Sequence, residues 1–313
     1  MLAEMVFQRD RNDLKRFYSC DGKMENLNVA RRRYADLIRH TAGLRSDRLV
    51  RALSEVPRED YLGPGPWKIM RFTFPMKYED TPDDDPIHLY EDVMVALDAA
   101  RTLNNGLPSA LSRWIDAMDI QDGDHVVHAG CGTGYYTAVI AQMVGSSGRV
   151  TAVEFDSALA SRARSNLRGF PNVDVIAGDA TIYDPGLADA ILINAGATHP
   201  MRLWLDALKE GGRLVFHLVR WQEGSKLGVG NAGWGVTIRV QRRGARYSAQ
   251  WIGPAGIFPC FGAIDSEADR LLGESLNQNG LTGIRSLRRK VHAPESSCLL
   301  HGEGYCFSSA PAT

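Results

Sequence analysis

Three glycines at alternate positions, Gly130, Gly132 and Gly134, follow a short apolar run in HVVHAGCGTGYYTAVIAQMVG (residues 125–145). Glycine reaches backbone conformations that other residues avoid, so such a turn can bend tightly and let a ligand approach the main chain. An amphipathic helical pattern follows, and the first N–H groups of a helix have no partner within it. The spacing is G-x-G-x-G rather than the G-x-G-x-x-G/A of dinucleotide sites. The turn therefore predicts a ligand-binding loop for something other than a dinucleotide.

Acidic residues follow the next two predicted strands. The strand RVTAVE ends in Glu154, whose carboxylate can accept hydrogen bonds from both ribose hydroxyls. The strand VDVIAG is followed by Asp179, which can accept the adenine amino group, and by Ala180, whose backbone can meet the ring edge. Ligands bind outside the carboxyl ends of parallel strands. Together these features indicate a nucleoside cofactor; the alternative is an ordinary turn beside two solvated acids.

A regular alternation of strands and helices must position these residues. Short apolar runs and amphipathic helices alternate from residue 125 to residue 219, which is typical of βαβ units. The stretch 235–252 then predicts two antiparallel strands around an Arg-Gly turn. The sequence thus predicts an α/β fold with a Rossmann-like, doubly wound and mostly parallel sheet that ends in an antiparallel hairpin. Helices are predicted at 28–43, 46–55, 109–118, 135–144, 157–168, 200–209 and 265–279, and LGPGPWKIM (62–70) is predicted to be a loop.

The composition is that of a globular protein, which we expect to be cytoplasmic. Hydrophobic residues make up 44% of the 313 residues, and the formal net charge is −1. Such a charge draws the chain neither to nucleic acid nor to an anionic membrane, so neither is an expected partner. No apolar run approaches the ~20 residues of a membrane span. The five cysteines form no CxxC pair, so the sequence indicates neither a zinc site nor a disulfide framework.

Several stretches occur in the order seen in protein-L-isoaspartate O-methyltransferases, which are class I methyltransferases. They are RLVRALSEVPREDYLGP, GCGTGYYTAVIAQMVGSSGRVTAVE, LADAILINAGATHP, LKEGGRLV and GIFPCFG. The chain resembles this family from about residue 28 to residue 264. The resemblance implies S-adenosyl-L-methionine as the cofactor. The implied cofactor-binding residues are His128, Gly130, Cys131, Gly132, Gly134, Glu154, Asp179 and Ala180.

With the resemblance, the chain divides into four predicted parts. They are a loose N-terminal tail (1–27), a helical N-terminal segment with substrate-side loops (28–108), an S-adenosylmethionine-binding methyltransferase core (109–264) and a C-terminal extension (265–313). The last 30 residues are expected to add one or two strands.

Two positions depart from the family pattern. The family usually has an acid where this chain has His128, whose imidazole either accepts a hydrogen bond at the cofactor or lies satisfied in the core. The family also has a Thr-Ile-Ser-x-Pro stretch beside the methyl group. Matching on Pro108 gives NNGLP, so Asn104 replaces the threonine and Gly106 replaces the active-site serine. The candidate catalytic residues are Asn104, Asn105, Gly106 and Ser109, and the alternative is that Asn-Asn-Gly simply makes a left-handed turn.

The resemblance implies methyl transfer to a carboxylate of a protein or peptide. A carboxylate is ionised at pH 7 and needs no general base. An acceptor of high pKa would need one, and His88 or His199 are the candidates, while His217 is available for a pocket. One alternative is the same scaffold acting on another acceptor, such as a small molecule or a modified peptide. Another is a non-catalytic S-adenosylmethionine-binding protein.

Overall fold

The computed structural model describes residues 27–71, 77–221 and 232–312. The predicted tail lies outside these residues except for its last position. Helix α1 (Leu27–Ala42) and helix α2 (Asp47–Glu55) follow the predicted bounds closely. Each buries one face, and the Ser46 side chain caps α2 by accepting from the Leu49 N–H. Among the described helices, none is long and apolar enough to cross a membrane.

A small antiparallel sheet follows, which the sequence analysis did not predict. Its strands, in the order β2-β1-β3-β4, are β1 (Lys68–Arg71), β2 (Glu79–Asp80), β3 (Val93–Asp98) and β4 (Leu103–Asn104). The end of the predicted loop 62–70 is therefore strand, because Ile69 and Met70 turn apolar side chains inward and pair with β3. Helix α3 (Pro108–Ala117) begins after this sheet, with proline at its first position.

The large sheet confirms the predicted fold class. Its ten strands lie in the order β13-β14-β12-β11-β10-β9-β8-β5-β6-β7. The strands β5 to β9 are parallel, and they are β5 (His125–Ala129), β6 (Arg149–Glu154), β7 (Val173–Ala177), β8 (Ala188–Ala197) and β9 (Leu208–Arg220). The connecting helices are α4 (Tyr135–Val144), α5 (Ser157–Asn166) and α6 (Arg202–Asp206).

Helix α6 is shorter than the predicted 200–209. Strand β9 already begins at Leu208, which pairs with Ala188 of β8. Two glycines follow within the strand, and Gly211 has a φ of +74°, a conformation that does not continue a helix. Sheet pairing therefore ends the helix early.

The C-terminal part continues the same sheet. The predicted hairpin is formed by β10 (Gly233–Arg243) and β11 (Arg246–Ile257), and helix α7 (Ser266–Asn279) follows it. Three further strands, rather than one or two, extend the sheet beyond the hairpin: β12 (Ser286–Arg288), β13 (Cys298–Gly302) and β14 (Tyr305–Ser308). Because β12 pairs with β11, the extension shares the sheet of the core.

Each face of the large sheet buries a separate apolar cluster. Val126, Ile140 and Ile38 belong to the cluster that joins the sheet to the N-terminal helices and α4. Val127, Phe216 and Leu272 belong to the cluster on the opposite face. Successive residues of β5 thus enter opposite clusters, as the alternation of side chains along a strand requires.

Candidate functional site

The glycine loop lies where the order of the parallel strands reverses. The chain runs from β5 through β6 to β7 on one side and then returns to place β8 on the other side of β5. The loop follows β5, and the Gly130 N–H donates to the Val153 carbonyl of β6 at 2.8 Å. Gly134 then caps α4 in the left-handed conformation. This is the position at which open α/β sheets bind ligands.

Glycine stands at these three positions for different physical reasons. All have a positive φ, of +74° at Gly130, +58° at Gly132 and +97° at Gly134. A Cβ at Gly130 would lie 2.8 Å from the Asn194 carbonyl oxygen, and one at Gly134 would lie 2.8 Å from Leu167 Cδ1. At Gly132 the nearest described atom would be Leu97 Cδ1, at an ordinary 3.5 Å. The protein itself therefore requires the outer two glycines, whereas a Cβ at Gly132 would make only an ordinary contact with Leu97.

Glu154 holds this loop. Its Oε2 accepts from the Gly132 N–H at 2.7 Å, and its Oε1 accepts from the Asp156 N–H at 3.0 Å. Burial raises the pKa of the carboxyl, although the backbone donors of Asp156 and Gly132 oppose the shift. Each carboxylate oxygen can accept more than one hydrogen bond, so the side chain retains acceptor capacity.

Asp179 lies beside Glu154 at the same edge of the sheet. The two are linked through the backbone, because the Gly178 N–H donates to the Glu154 carbonyl at 2.9 Å. Asp179 Oδ1 accepts from both the N–H and the hydroxyl of Thr181, at 2.8 and 2.7 Å. The Ala180 carbonyl accepts from the indole of Trp204 at 2.9 Å. The turn that carries Asp179 and Ala180 is therefore fixed on both sides.

Exposed apolar side chains surround the two acids, and the sequence analysis missed them. Phe155 is 68% exposed, Ile182 is 80% exposed and Phe261 is 73% exposed. The rings of Phe155 and Phe261 have centroids 6.5 Å apart. Large exposed apolar side chains grouped in space mark a binding surface. The only sequence signal was the position of Phe155 directly after Glu154 and of Phe261 in GIFPCFG.

His128 and Cys131 are buried beneath the loop. His128 is fully buried, and its Nδ1 lies 2.9 Å from the Thr137 hydroxyl of α4. Burial lowers the pKa of His128 to about 4, so the ring is neutral at pH 7. Its Nε2 has no hydrogen-bond partner among the described residues, so the histidine is only half satisfied within the core. Burial also raises the pKa of the Cys131 thiol well above its usual range.

The β3–β4 hairpin lies over the glycine loop. Leu97 of β3 is the side chain nearest to a Cβ placed at Gly132, at 3.5 Å. Arg101 at the hairpin turn pairs with Asp156, two residues after Glu154. Asn104 of β4 is aligned with Ala96 of β3. The structure thus brings the changed stretch LNNGLPS close to the loop.

The side-chain oxygens of Asn104 and Asn105 accept from nearby backbone, whereas Asn105 Nδ2 is buried without a hydrogen-bond partner among the described residues. Asn104 Oδ1 accepts from the Gly106 N–H at 2.9 Å, which closes a turn at Gly106 with a φ of +79°. Asn105 Oδ1 accepts from the Val95 N–H at 2.9 Å. Asn-Asn-Gly therefore does make a left-handed turn, and Asn105 fastens it to β3.

Ser109 serves the start of helix α3. It is 7% exposed, and its N–H donates to Asp92 Oδ1 at 2.8 Å. Burial raises the pKa of Asp92, while hydrogen bonds from Ser109 and the charge of Arg58 oppose the shift. The sequence analysis did not single out Asp92, which no local pattern distinguishes from the other acids nearby.

The buried side chain of Arg58 positions the part of the substrate-side segment that leads into β3. Its guanidinium is fully buried and donates to the carbonyls of Leu89, Glu91 and Val93, with a weaker contact of 3.4 Å to Asn105 Oδ1. The arginine of the sequence VPRED thus holds the chain that leads into β3. These hydrogen bonds offset the cost of burying the charge, which explains why an arginine stands in that short stretch.

The candidate bases His88 and His199 and the pocket candidate His217 lie in different places. His217 is fully buried, packs against Trp114 with the two rings tilted by 52°, and has a pKa lowered by burial to about 3. His88 lies outside the loop region and contacts Asp83 at 2.8 Å. His199 is half-buried beside Thr198, and burial lowers its pKa. His217 is therefore a core residue.

Comparison with known proteins agrees with this geometry. The sequence profile of the family described as protein-L-isoaspartate(D-aspartate) O-methyltransferase matches residues 33–226, more than half of the chain. A protein-L-isoaspartate O-methyltransferase of Thermotoga maritima is 28% identical over 176 residues, which are 54% of this chain and 50% of that protein. The chain thus spans about half the length of this curated relative. One from Rhodopseudomonas palustris is 28% identical over 243 residues, which are 76% of this chain and 96% of that protein.

A solved structure shares the fold. It is a putative protein-L-isoaspartate O-methyltransferase of Plasmodium falciparum in complex with S-adenosyl-L-homocysteine. The TM-score is 0.54 at 15% sequence identity, and the match covers 74% of this chain and 97% of that one. At this identity the likeness is one of fold.

Proposed function

Because the chain belongs to the protein-L-isoaspartate(D-aspartate) O-methyltransferase family, we propose that it transfers a methyl group from S-adenosyl-L-methionine to a carboxylate of a protein or peptide. One observation carries the proposal. The Glu154 carboxylate at the end of β6 accepts from Gly132 in the glycine loop, at the reversal of strand order. Such an acid beside an open main chain suits the sugar of a nucleoside.

The residues present fit this cofactor. The fold itself would accept a Cβ at Gly132, so a ligand that approaches the main chain there would explain the glycine. Glu154 has acceptor capacity for the ribose hydroxyls, and Asp179 is the acceptor for an exocyclic amino group. Phe155 and Phe261 offer exposed apolar surface for a flat base. The buried Nε2 of His128, which lacks a partner within the described chain, can accept from an ammonium group.

Methyl transfer requires little of the protein beyond the correct positioning of the cofactor and the acceptor. When bound, the cofactor supplies an activated methyl group on a positively charged sulfur. The acceptor carboxylate is already ionised at pH 7, so no side chain has to remove a proton. The hairpin that carries Leu97 and Asn104 covers the loop, so its part is to orient the acceptor and keep water out.

A second candidate is the same transfer to a different acceptor, such as a small molecule or a modified peptide. The specific observation in its favour is Gly106, which stands where the family has its active-site serine. The side-chain oxygens of Asn104 and Asn105 already accept from nearby backbone, and the Ser109 N–H donates to Asp92, so none of the three simply takes the place of that hydroxyl. The Asn105 Nδ2 group has no partner among the described residues and is a remaining donor for a carboxylate.

Nucleic acid is not the proposed acceptor. The basic stretch 284–290 contributes β12 to the large sheet. Its Arg289 pairs with Asp206 at 2.6 Å, and its Arg288 pairs with Glu295. These arginines are therefore neutralised by acids of the same chain rather than presented as a basic surface.

The test is transfer of a labelled methyl group to an isoaspartyl peptide, to its aspartyl twin and to a cell extract. Label on the isoaspartyl peptide alone, released by mild base as methanol, supports the first candidate. Label on another acceptor supports the second. Cofactor binding without transfer to any acceptor identifies a non-catalytic binding protein, and absence of cofactor binding rejects the whole proposal.

A further inference from the structure

Four metal-binding side chains meet in the C-terminal extension, far along the sheet from the glycine loop. They are His292, Cys298, His301 and Cys306, and one ligand atom from each lies within 4.8 Å of all the others. They follow the spacing His-x5-Cys-x2-His-x4-Cys. The sequence analysis misses this set because it rests on the CxxC spacing. We propose that these four residues bind a zinc ion.

The register of the last hairpin places three of the four on one face. His301 of β13 is aligned with Cys306 of β14. Cys298 is aligned with Ser308, which is two residues from Cys306 and so shares its face. The register shifts between Cys298 and Leu300, so one extra residue reverses the alternation and turns Cys298 to the side of His301. Without this bulge, Cys298 and His301 would point to opposite faces.

The fourth residue comes from the irregular segment between β12 and β13. His292 Nδ1 lies 2.9 Å from the Lys290 carbonyl, which can only accept, so Nδ1 carries the proton. Nε2 is then the free lone pair, and it lies 3.5 Å from Cys298 Sγ. A second partner that fixes the tautomer in this way is typical of histidine ligands of zinc.

The distance between Cys298 Sγ and His292 Nε2 suits a tetrahedral site, and the other pairs of ligand atoms lie within 4.8 Å. Zinc binds thiolate sulfur at ~2.3 Å and imidazole nitrogen at ~2.0–2.1 Å, so two such ligands on a tetrahedron lie about 3.6 Å apart. The observed separation of 3.5 Å between Cys298 and His292 agrees with this value. Two thiolates and two neutral imidazoles form the Cys2His2 set of structural zinc sites, and they balance the charge of Zn²⁺.

Two further features of the cluster point to a bound ligand. His301 Nδ1 is buried and has no hydrogen-bond partner in the described part of the chain, which a bound metal would explain. The Glu295 N–H donates to Cys298 Sγ at 3.5 Å, as a thiolate would require. Cys306 is fully buried, so the site is closed on the side of the sheet. A closed set of four protein ligands is structural rather than catalytic.

The zinc ion would fasten the outer end of the sheet. Strand β13 is the last strand in the sheet order, so one of its edges has no strand beside it among the described residues. The segment 289–297 between β12 and β13 has no helix or strand. A metal bound by His292, β13 and β14 would tie this segment to the hairpin, and its binding free energy would contribute to folding.

The first experiment measures metal in the full chain, purified under reducing conditions from zinc-supplemented medium. We expect one zinc ion per chain. His292→Ala lies in an irregular segment, so it should lose the metal while the circular dichroism stays that of the wild type. Cys298→Ser should lose it as well. The matched controls should retain the metal. They are His40→Ala, at an exposed position of helix α1, and Cys260→Ser, outside the cluster.

The second experiment replaces zinc by cobalt. A tetrahedral site with two thiolates should give the visible bands of four-coordinate Co²⁺ and a thiolate-to-metal charge-transfer band, both absent in His292→Ala. A chelator should lower the melting temperature of the wild type but not that of His292→Ala. The proposal is overturned if the wild type binds neither metal, if both variants keep full zinc content, or if Cys298 and Cys306 form a disulfide in the reduced preparation.

Discussion

The Gly132 N–H donates to Glu154 Oε2 at 2.7 Å, which joins the middle of the glycine loop to the end of the neighbouring strand. The same carboxylate accepts from Asp156 through its other oxygen. Glu154 therefore fixes the loop, and under the proposed function it also accepts from the ribose of the cofactor. Changes at these two residues should affect cofactor binding through different physical causes.

Glu154→Ala should weaken binding of S-adenosyl-L-homocysteine by about 2–3 kcal/mol, the range for losing hydrogen bonds to a charged group. It also leaves two backbone N–H groups without their acceptor, so the free energy of unfolding should fall by about 1 kcal/mol for each. Calorimetry measures the first and urea unfolding the second. Glu55→Ala, at the exposed end of α2, is the control. Unchanged affinity in Glu154→Ala would remove this residue from the site.

Gly132→Ala should separate folding from binding. Its Cβ would meet Leu97 Cδ1 at 3.5 Å, so the folded protein bears only the cost of a positive φ, about 1–2 kcal/mol. The methyl group would occupy the space in which the ligand meets the main chain, so we expect binding to be lost. Gly186→Ala is the matched control, since it has a φ of +69° and no described atom within 4 Å of its Cβ. Wild-type affinity in Gly132→Ala would place the ligand elsewhere.

Phe155→Ala and Phe261→Ala should each weaken cofactor binding by about 1 kcal/mol, which is typical of an aromatic contact. Both side chains are largely exposed, so stability without ligand should change little. Leu187→Ala provides the control. Leu187 is also exposed, but it directly precedes the first residue of β8, at the end of the strand away from the glycine loop. Equal affinities for all three variants would argue that the exposed rings do not touch the base.

Gly106→Ser should not restore the serine of the family. Residue 106 needs a φ of +79°, and a Cβ there would lie 2.5 Å from Leu111 Cδ2. We expect the free energy of unfolding to fall by about 2–4 kcal/mol, from backbone strain and overpacking together. Gly186→Ser carries the strain alone and should lose less. An active, fully stable Gly106→Ser protein with raised isoaspartyl methylation would show that the turn adapts.

Stability should fall between pH 6.5 and pH 5 because of two buried histidines. Burial lowers the pKa of His128 to about 4 and that of His217 to about 3, whereas an unfolded histidine titrates near 6.5. Below pH 6.5 the two histidines therefore bind protons in the unfolded chain but stay neutral in the folded chain. Each histidine should cost about 1.4 kcal/mol per pH unit in this window.

Urea unfolding at pH 7.5 and pH 5.0 measures this loss. His217→Asn should lose about 2 kcal/mol less between the two pH values than the wild type, since one titrating group is gone. His40→Asn, at an exposed position of α1, should lose as much as the wild type. If His217→Asn and the wild type lose the same amount, His217 is not held neutral by burial.

Local sequence determined the central sheet and the acids at its edge. Apolar strands of about five residues that alternate with amphipathic helices permit few arrangements, and parallel strands bring their carboxyl ends to one edge. The order of the elements along the chain is therefore enough to place Gly132, Glu154 and Asp179 together. Glycine spacing also indicated the kind of ligand, because the backbone conformation of the loop depends on where glycine stands.

Only the tertiary structure decided which side chains are free to act. Asn104, Asn105 and Ser109 are polar in the sequence, but contacts with the turn, β3 and Asp92 use the side-chain oxygens of the two asparagines and the backbone N–H of Ser109. The rim of Phe155 and Phe261 joins residues more than a hundred positions apart, and no local pattern specifies such a contact.

The cluster of His292, Cys298, His301 and Cys306 has the same origin. A single bulge in β13 reverses the side-chain alternation and turns Cys298 towards His301. That register depends on how the whole hairpin packs and turns, so the spacing of the four residues alone does not reveal it. The sequence supplied the four ligands, and the pairing of β13 with β14 brought them together.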